Sequence, residues 1–274
     1  TIDGDSGLGL MITAHAMNLA IEKAEKYGTG SISIRNSAHC GAVGYFAMMA
    51  LKYDMVGTCM TAGGNTMVPT FGSEAKLGTN PIAIAVPTKH KPPFVFDAAT
   101  TTIAGNKMGL LERIGASMQP GWVAHDDGTP DMDGGGEFQY AHGPQKMQLP
   151  LGGTREMGSH KGYGLGVSVD ILCGILSNGA GFPTLQASRR AHYVSAIKVD
   201  GFSEVNEFKS SMDQMLQGLE DTKPSPGNKR VLYAGLEEYE EEQKRERDGI
   251  PLHKEVVEWY KGACEEMNIK FILN

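Results

Sequence analysis

A histidine that could act as an acid or a base lies near the start of the chain, in the stretch SISIRNSAHCGAVGYFAMMA from Ser31 to Ala50. Apolar residues alternate before it, as in a half-buried strand, and recur at helical spacing after it. The pattern places His39 at or just before a helix N-terminus, where the partial positive charge of the helix end favours a neutral imidazole. A neutral imidazole can accept or donate a proton near neutral pH. A lone histidine before a helix can equally be structural, so this stretch alone leaves both interpretations open.

Three further clusters of polar residues beside glycines follow along the chain: GGNTMVP with FGSEAKLGTNP, FDAATT, and LPLGG with GSHKGYGL. Each has an ordinary structural interpretation. The glycine segments could be turns, and Asp97 could cap the helix that follows it. Lys161, at the glycine-rich start of a helix, could be solvated, or it could bind a pyrophosphate or a carboxylate. The occurrence of all these clusters in one chain favours a binding site.

Several signatures of other activities are absent from the sequence. GLGLMI at Gly7 and GYGLGV at Gly162 both lack the last glycine of G-x-G-x-x-G, and GTREMGSH has His160 where a P-loop needs lysine. The acidic loop that begins at Thr129 has Tyr140 where an EF-hand needs glutamate. The eight histidines show no zinc-site spacing, and G-x-S-x-G does not occur. We therefore expect neither a Rossmann fold nor a bound metal.

Composition limits the partners and the compartment. The net charge is −7 and no stripe of Lys or Arg occurs, which argues against nucleic acid as a partner. The longest apolar stretch, Leu165 to Leu176, is shorter than the roughly 20 residues that span a bilayer and contains Asp170, so it predicts a buried helix and no membrane segment. The four cysteines form no C-x-x-C pair, as expected of free thiols in a reducing, cytoplasmic compartment.

The elements that must position the polar clusters can be predicted from periodicity and from helix-capping residues. Strands and helices alternate, which predicts an α/β fold. We expect a domain over residues 1–234 that binds cofactor and substrate, and a helical segment over 235–274 that packs on it. Helices are predicted over residues 7–27, from near Gly41, within GSHKGYGLGVSVDILCGIL as a buried helix, after a cap at Ser203, and over 237–247 and 251–267. Strands are predicted around Ile32 and Ile34, over 55–61 and 81–86, in a run that ends at Asp97, and in RRAHYVSAIKVD. Residues 115–153 are predicted to be irregular.

The polar clusters resemble the malate/L-lactate dehydrogenase family of NAD(P)-dependent oxidoreductases. That family lacks the Rossmann fold and also includes ureidoglycolate, sulfolactate and diketogulonate dehydrogenases and a reductase of cyclic imines such as piperideine-2-carboxylate. The resemblance implies a non-Rossmann mixed sheet flanked by helices, with a helical C-terminal segment. The similar blocks occur in family order at Ile34–Phe46, Pro69–Pro87, Asp97–Thr100, Leu149–Gly153 and His160–Leu165.

The resemblance also implies a role for particular residues. His39 matches the histidine that gives or takes the proton at the C2 oxygen of the substrate, and the His-Cys pair of SAHCGA resembles the ureidoglycolate branch. Cofactor contacts are expected at Gly63, Gly64, Asn65, Asp97, Ala98, Ala99, His160 and Lys161. Substrate contacts are expected at Ser37, Thr79 and Asn80.

The implied reaction is hydride transfer between NAD or NADP and C2 of a small 2-hydroxy or 2-oxo acid, malate-like or lactate-like, in a homodimer. A cyclic-imine reductase is one alternative. A catalytically silent dinucleotide-binding homologue is another, because family members carry a Ser-His-Gly motif and an arginine in a segment that would precede Thr1. That segment is expected either to have been removed or to be lost. Position 63 is glycine where the ureidoglycolate branch has serine, and Ser73 replaces the second glycine of the usual Phe-Gly-Gly.

Overall fold

The computed structural model describes residues 1–133, 147–179 and 189–273. It consists of two compact units, Thr1–Gly235 and Leu236–Asn274. In the first unit the helices are α1 (Gly9–Tyr27), α2 (Val43–Met48), α3 (Gly105–Ile114), α4 (Ser159–Asp170), which continues as a π-helical turn (Ile171–Ile175), and α5 (Val205–Glu220). The strands are β1 (Ile2–Asp3), β2 (Thr29–Ser37), β3 (Met55–Ala62), β4 (Ile82–Val86), β5 (Phe94–Ala98), β6 (Val123–Ala124), β7 (Met147–Gln148) and β8 (Arg190–Lys198).

One mixed sheet organises the described part of the first unit. Its strand order is β1-β2-β8-β3-β4-β5, while β6 and β7 form a separate pair. β1 runs parallel to β2, and every other neighbouring pair in the large sheet is antiparallel. β8 therefore lies between two strands that precede it by more than a hundred residues. The prediction of a non-Rossmann mixed sheet flanked by helices is confirmed.

Helices cover both faces of this sheet. α1 and α2 pack on Ile32, Cys59 and Val194, which belong to the largest apolar core. Val169 of α4 and Cys173 of the π-helical turn pack instead on Ala62 and Ala191. Because successive strand residues point to opposite faces, these two sets lie on opposite sides of the sheet.

The second unit contains α6 (Leu236–Asp248) and α7 (Lys254–Glu266). α6 carries an Arg245–Glu241 ion pair at helical spacing. α7 begins three residues after Pro251, which was predicted as its first residue, and the side chain of His253 accepts a hydrogen bond from the amide of Glu255. The prediction of Pro251 as the first helical residue was wrong because the helix begins only after His253, whose side chain supplies the N-cap.

Other predictions of element boundaries also need correction. Glu204, not Ser203, caps α5, since its carboxylate accepts from the amide of Glu207 at 2.7 Å. α3 is the helix expected after Asp97, for which no bounds were predicted. Two strand residues on each side of the undescribed segment 134–146 pair within the region predicted to be irregular. The stretch from Leu165 to Leu176 is helical but not buried throughout: Leu165, Ile171, Ile175 and Leu176 are 44% to 59% exposed. Within the described ranges, no helix is both long and apolar enough to cross a membrane.

Candidate active site

Strand pairing brings the predicted site residues to one end of the sheet. β2 and β3 both run antiparallel to β8, so they end where β8 begins. β4 begins and β5 ends at the same place, because Ile82 pairs with Ala98. We call this end of the sheet the site edge. It collects the ends of β2, β3 and β5 with the starts of β4 and β8, and with them Ser37, His39, Gly63–Asn65, Thr79–Asn80 and Asp97–Ala99.

His39 lies in the short connection between β2 and α2, exposed to solvent and just before the helix as predicted. Its Nδ1 accepts a hydrogen bond from the backbone N–H of Gly41 at 2.9 Å. Because Nδ1 is the acceptor, the proton of a neutral ring lies on Nε2 in this arrangement. His39 therefore offers an N–H to a neighbouring group while its second nitrogen is occupied.

The start of α1 packs directly on the backbone of the His39 segment. A Cβ at Gly9 would lie 2.2 Å from the Ala38 carbonyl oxygen and 2.7 Å from the His39 carbonyl carbon. Non-bonded atoms do not lie this close together, so only glycine permits this approach. Gly9 belongs to the GLGL stretch, which has no nucleotide-binding pattern, and its close approach accounts for a glycine at this position.

A second histidine, which sequence reasoning missed, lies beneath the site edge. His192 is 0% exposed. Its Nδ1 is 2.7 Å from Thr61 Oγ1, and its Nε2 is 2.9 Å from Ser37 Oγ. Burial lowers the pKa of His192 from 6.5 to about 4, and the positive charge of Arg190 acts in the same direction. The imidazole is therefore neutral near pH 7.

The glycine loop after β3 is held by the segment that precedes β4. A Cβ at Gly78 would lie 2.0 Å from the Gly63 carbonyl oxygen, so the two backbones are in direct contact. Asn80 Oδ1 accepts from the Gly63 amide at 3.4 Å. The Asn80 amide donates to the Gly166 carbonyl at 2.9 Å and to the Asp170 carboxylate, whose pKa burial raises. Asn80, predicted to contact substrate, thus ties the glycine loop to α4.

Asp97 joins β5 to the helix that follows His39. Its Oδ2 accepts a hydrogen bond from the Gly44 amide at 2.7 Å, and a Cβ at Gly44 would lie only 2.9 Å from that oxygen. Asp97 therefore caps α2, which precedes it by some fifty residues, and not the helix after it. Partial burial raises the pKa of Asp97, and the Gly44 hydrogen bond opposes that shift.

An arginine that was not predicted adds positive charge to the site edge. A Cβ at Gly64 would lie 3.7 Å from Nη2 of Arg190, so the guanidinium lies beside the glycine loop. Nη1 donates to the Arg189 carbonyl at 3.1 Å. Burial lowers the pKa of Arg190, but arginine has so high a pKa that the side chain stays charged near pH 7. The paired arginines before the AHYV run were the available signal.

His160 and Lys161 lie apart from these residues, in the first turn of α4. Arg155 donates to Nδ1 of His160 at 2.9 Å, and the Lys161 side chain lies along Gly158. Both residues are exposed. Gly166, which contacts Asn80, lies six residues further along α4, or about 9 Å. Nearby, a cleft of about 470 Å³ is lined by Pro69–Gly72, Asp127–Pro130, Thr154–Glu156 and Ser159, among others.

Metal ligands do not cluster in the parts of the chain that the structure describes, where no group of three or more His, Cys, Asp or Glu side chains could hold an ion. The titratable groups of the site edge instead bond to amides and hydroxyls, as His39 does to Gly41 and Asp97 to Gly44. The chemistry available at this edge is therefore proton transfer, hydrogen bonding and the binding of anions.

Comparison with known proteins identifies the family. Residues 1–260 match the family described as malate/L-lactate dehydrogenase. A malate dehydrogenase of Pyrococcus abyssi is 36% identical over 98% of this chain and 74% of its own length. An L-sulfolactate dehydrogenase of Methanocaldococcus jannaschii is 33% identical over 98% of this chain and 75% of its own length.

A solved structure agrees with these matches. The crystal structure of malate dehydrogenase from Entamoeba histolytica superposes with a TM-score of 0.90 at 31% identity, covering 99% of this chain and 78% of that one. The family that the sequence blocks indicated is thereby confirmed. Dehydrogenases of this kind act on 2-hydroxy acids and imply a nicotinamide cofactor. This chain therefore belongs to the malate/L-lactate dehydrogenase family and is an oxidoreductase.

Proposed function

We propose that this enzyme transfers a hydride between NAD or NADP and C2 of a malate-like or lactate-like acid, with His39 handling the proton. The observation that carries the proposal is the site edge. Pairing of β2 and β3 with β8 gathers an exposed histidine, a glycine loop and a cation from three separate parts of the sequence. A site for an anionic hydroxy acid beside a dinucleotide needs these three components.

The residues of the site edge fit a dinucleotide. Gly63 and Gly64 have φ values of +136° and +99°, which L side chains rarely adopt, and their half-buried backbone has no side chain to keep a ligand away. Ala98 and Ala99 add only methyl groups beside Asp97. When bound, the nicotinamide supplies or accepts the hydride. The residues named here orient it, and His160 and Lys161 are proposed to contact its more distant part.

The hydrogen bonding of His39 defines how it takes part. In reduction of a 2-oxo acid, His39 acts with both ring nitrogens protonated: its Nε2–H donates a hydrogen bond to the C2 oxygen, and the proton passes to that oxygen as the hydride adds to C2. In oxidation, the C2 hydrogen leaves as hydride and the hydroxyl proton passes to His39. For Nε2 to accept that proton, the ring proton has to move to Nδ1, which breaks the contact with the Gly41 amide. The Gly41 contact therefore describes the resting ring, which substrate binding displaces.

Arg190 is proposed to hold the carboxylate of the acid. A guanidinium presents paired N–H donors that match the two oxygens of a carboxylate. Its position beside Gly64 supports this role, since a carboxylate bound there would lie next to the cofactor loop. Thr79, predicted as a substrate contact, belongs to the same edge, whereas the hydroxyl of Ser37, also predicted as one, is buried and bonds His192.

We also propose a cytoplasmic homodimer. Cys40, Cys59 and Cys173 are free and buried, and burial raises the pKa of Cys40 to about 11, as suits thiols that stay reduced. The exposed apolar residues of α4 and its π-helical turn, such as Leu165 and Ile175, support an interface on that face. Sedimentation analysis at micromolar protein concentration tests the dimer.

The test of the proposed activity is a substrate panel of malate, lactate, ureidoglycolate, sulfolactate and piperideine-2-carboxylate, each with both cofactors. We expect turnover of at least one hydroxy acid. His39→Ala should lower turnover by about 10²-fold to 10⁴-fold with little change in cofactor affinity. The matched control is His15→Ala, an exposed histidine on α1. Full turnover in His39→Ala would show that His39 is not the acid/base. Turnover of piperideine-2-carboxylate alone would show that the enzyme is an imine reductase.

A further inference from the structure

His192 is a buried titratable group that the proposed chemistry does not use. It lies on β8, between β2 and β3, and each of its two ring nitrogens contacts a residue of one of these neighbouring strands. Thr61 Oγ1 lies 2.7 Å from one nitrogen and Ser37 Oγ 2.9 Å from the other.

The two partners of His192 stand in equivalent places. Ser37 precedes His39 by two residues, and Thr61 precedes Gly63 by two residues. One imidazole thus contacts the last residue of β2, which lies just before the proposed acid/base, and a residue near the end of β3, just before the proposed cofactor loop. The distance in sequence between Ser37 and His192 is 155 residues, so no local interaction could replace this contact.

The backbone of β2 is irregular just before Ser37, so a side-chain contact to Ser37 stabilises it there. The register of β2 against β8 shifts between Ile34 and Ser37, and Asn36 has a φ of +51°. A bulge of this kind leaves a residue without its ladder partner and re-aims the side chains after it. Pairing resumes at Ser37, opposite Arg190, and the His192 side chain adds a contact that holds Ser37 in place after the bulge.

A neutral imidazole is suited to this task. It has one N–H and one lone pair, and a hydroxyl can donate or accept, so each nitrogen finds a matching partner in Ser37 or Thr61. Burial keeps the ring neutral near pH 7 by lowering its pKa to about 4. All of its polar atoms are therefore satisfied inside the protein, as a buried polar group requires.

We propose that His192 is a positioning residue with two separable arms: the Ser37 arm sets the place of His39, and the Thr61 arm sets the place of the Gly63–Asn65 loop. The inference rests on the proposed function of those two segments. It predicts that the arms affect different steps, namely turnover for the Ser37 arm and cofactor binding for the Thr61 arm. A histidine that only fills the core would affect both together.

Two substitutions separate the arms. In His192→Asn the side-chain amide can take the place of Nδ1 and keep the Thr61 contact, whereas Ser37 loses its partner. In His192→Gln the longer side chain can take the place of Nε2 and keep the Ser37 contact, whereas Thr61 loses its partner. Cofactor dissociation constants come from nicotinamide fluorescence, and kcat and KM come from steady-state turnover of the best acid of the panel.

We expect His192→Asn to lower kcat by at least about tenfold, because small misplacements of a reacting group have large effects, while the cofactor Kd stays within about twofold. His192→Gln should raise the cofactor Kd by about fivefold, as expected for one lost hydrogen bond, and leave kcat within about twofold. The control is Ser33→Ala, which removes a buried hydroxyl from β2, the strand that also contains Ser37. That hydroxyl bonds the Leu172 and Cys173 carbonyls, away from the site edge. It should lower Tm without changing kcat or Kd.

Other outcomes overturn the inference. Equal losses of kcat and cofactor affinity in both variants, or no loss in either, show that His192 serves the core alone. If the His192 variants do not fold, Ser37→Ala and Thr61→Val test the two arms one at a time. Ser37→Ala should reproduce the effects expected of His192→Asn, and Thr61→Val those expected of His192→Gln. Wild-type protein that neither binds a nicotinamide cofactor nor turns over any acid of the panel removes the proposed function and this inference with it, whereas active wild type with unsplit variants removes only the inference.

Discussion

The site edge and the first turn of α4 were both expected to contact the cofactor, yet they are built differently. At the site edge, hydrogen bonds join residues far apart in sequence, such as the buried Ser37 with the buried His192, and Gly44 with Asp97. In the first turn of α4, exposed side chains contact residues a few positions away, as Arg155 contacts His160. A substitution at the site edge should therefore disturb several elements at once, whereas one in α4 should change only its own contact.

The largest effect is expected where two backbones of the site edge meet. In Gly9→Ala the new methyl group would lie 2.2 Å from the Ala38 carbonyl oxygen, so α1 and the His39 segment have to separate. We expect turnover to fall about 100-fold, as for a reacting group displaced by about an ångström. The free energy of unfolding should fall by about 3 kcal/mol, as for an overpacked core. Steady-state kinetics and denaturant unfolding measure the two effects.

The matched control is Gly218→Ala, on α5, where a Cβ would meet nothing within 4 Å. That change should raise the free energy of unfolding by up to about 1 kcal/mol, because alanine favours a helix over glycine. It should leave turnover unchanged. If Gly9→Ala behaved in the same way, the close packing of α1 on the His39 segment would have no functional consequence.

The pH dependence of stability tests the burial that distinguishes the site edge. The pKa of His192 is about 4 in the folded protein and near 6.5 when unfolded, so between these values the unfolded state binds more protons. Stability should therefore decrease as the pH falls, by about 2 kcal/mol between pH 7 and pH 5 from this group alone. Denaturant unfolding at both pH values measures it.

The non-titrating variant His192→Gln provides the comparison, because every other ionisable group is shared. Its loss of stability between pH 7 and pH 5 should be smaller than that of the wild type by the same amount, about 2 kcal/mol. Equal losses in the two proteins would mean that His192 is solvated or already charged in the folded state. That result would remove the main physical difference between the site edge and α4.

The sequence predicted local features of both regions well and their partners poorly. Alternating Ile32 and Ile34 indicated β2, and the polar blocks indicated His39 and Asp97, because such signals depend on neighbouring residues. His192 and Arg190 were missed since their importance arises only when β8 inserts between β2 and β3. The same limit explains the wrong partner for Asp97, which caps a helix that precedes it.

The helices show a second limit. The bounds of α3 could not be predicted because GNKMGLLERI contains two glycines and buries only Met108, so its periodicity is weak. The stretch from Leu165 to Leu176 was predicted to be buried because it is apolar all round. Only one of its faces packs on the sheet, and composition does not show which face a neighbour will cover.

A smaller effect is expected at Asp97, which connects β5 with α2. Asp97→Ala removes the acceptor for the Gly44 amide, a charge-assisted hydrogen bond of about 1.5 kcal/mol. We expect the cofactor Kd to rise about tenfold, since both β5 and the His39 segment lose their connection. Asp97→Asn, which keeps an acceptor oxygen, should raise it by less than about threefold. A similar loss in both variants would assign the effect to the negative charge of Asp97 and not to the cap.

The smallest effect is expected in the first turn of α4. Lys161→Met removes one exposed positive charge, and an exposed ion pair contributes at most about 1 kcal/mol, which is about a fivefold change in cofactor Kd. The control is Lys23→Met on α1, an equal change of charge at an exposed position away from the site edge. Fluorescence titration with NADH and NADPH at low and high salt measures both variants.

The two variants decide how far the site extends. The first turn of α4 lies about 9 Å from Gly166, where Asn80 connects the helix to the glycine loop, and a dinucleotide is longer than that. A fivefold weakening in Lys161→Met that disappears at high salt, with no change in Lys23→Met, places an anionic part of the cofactor on α4. Equal behaviour of the two variants confines the cofactor to the site edge, because a charge that touches no ligand can act only through long-range attraction, which both lysines share.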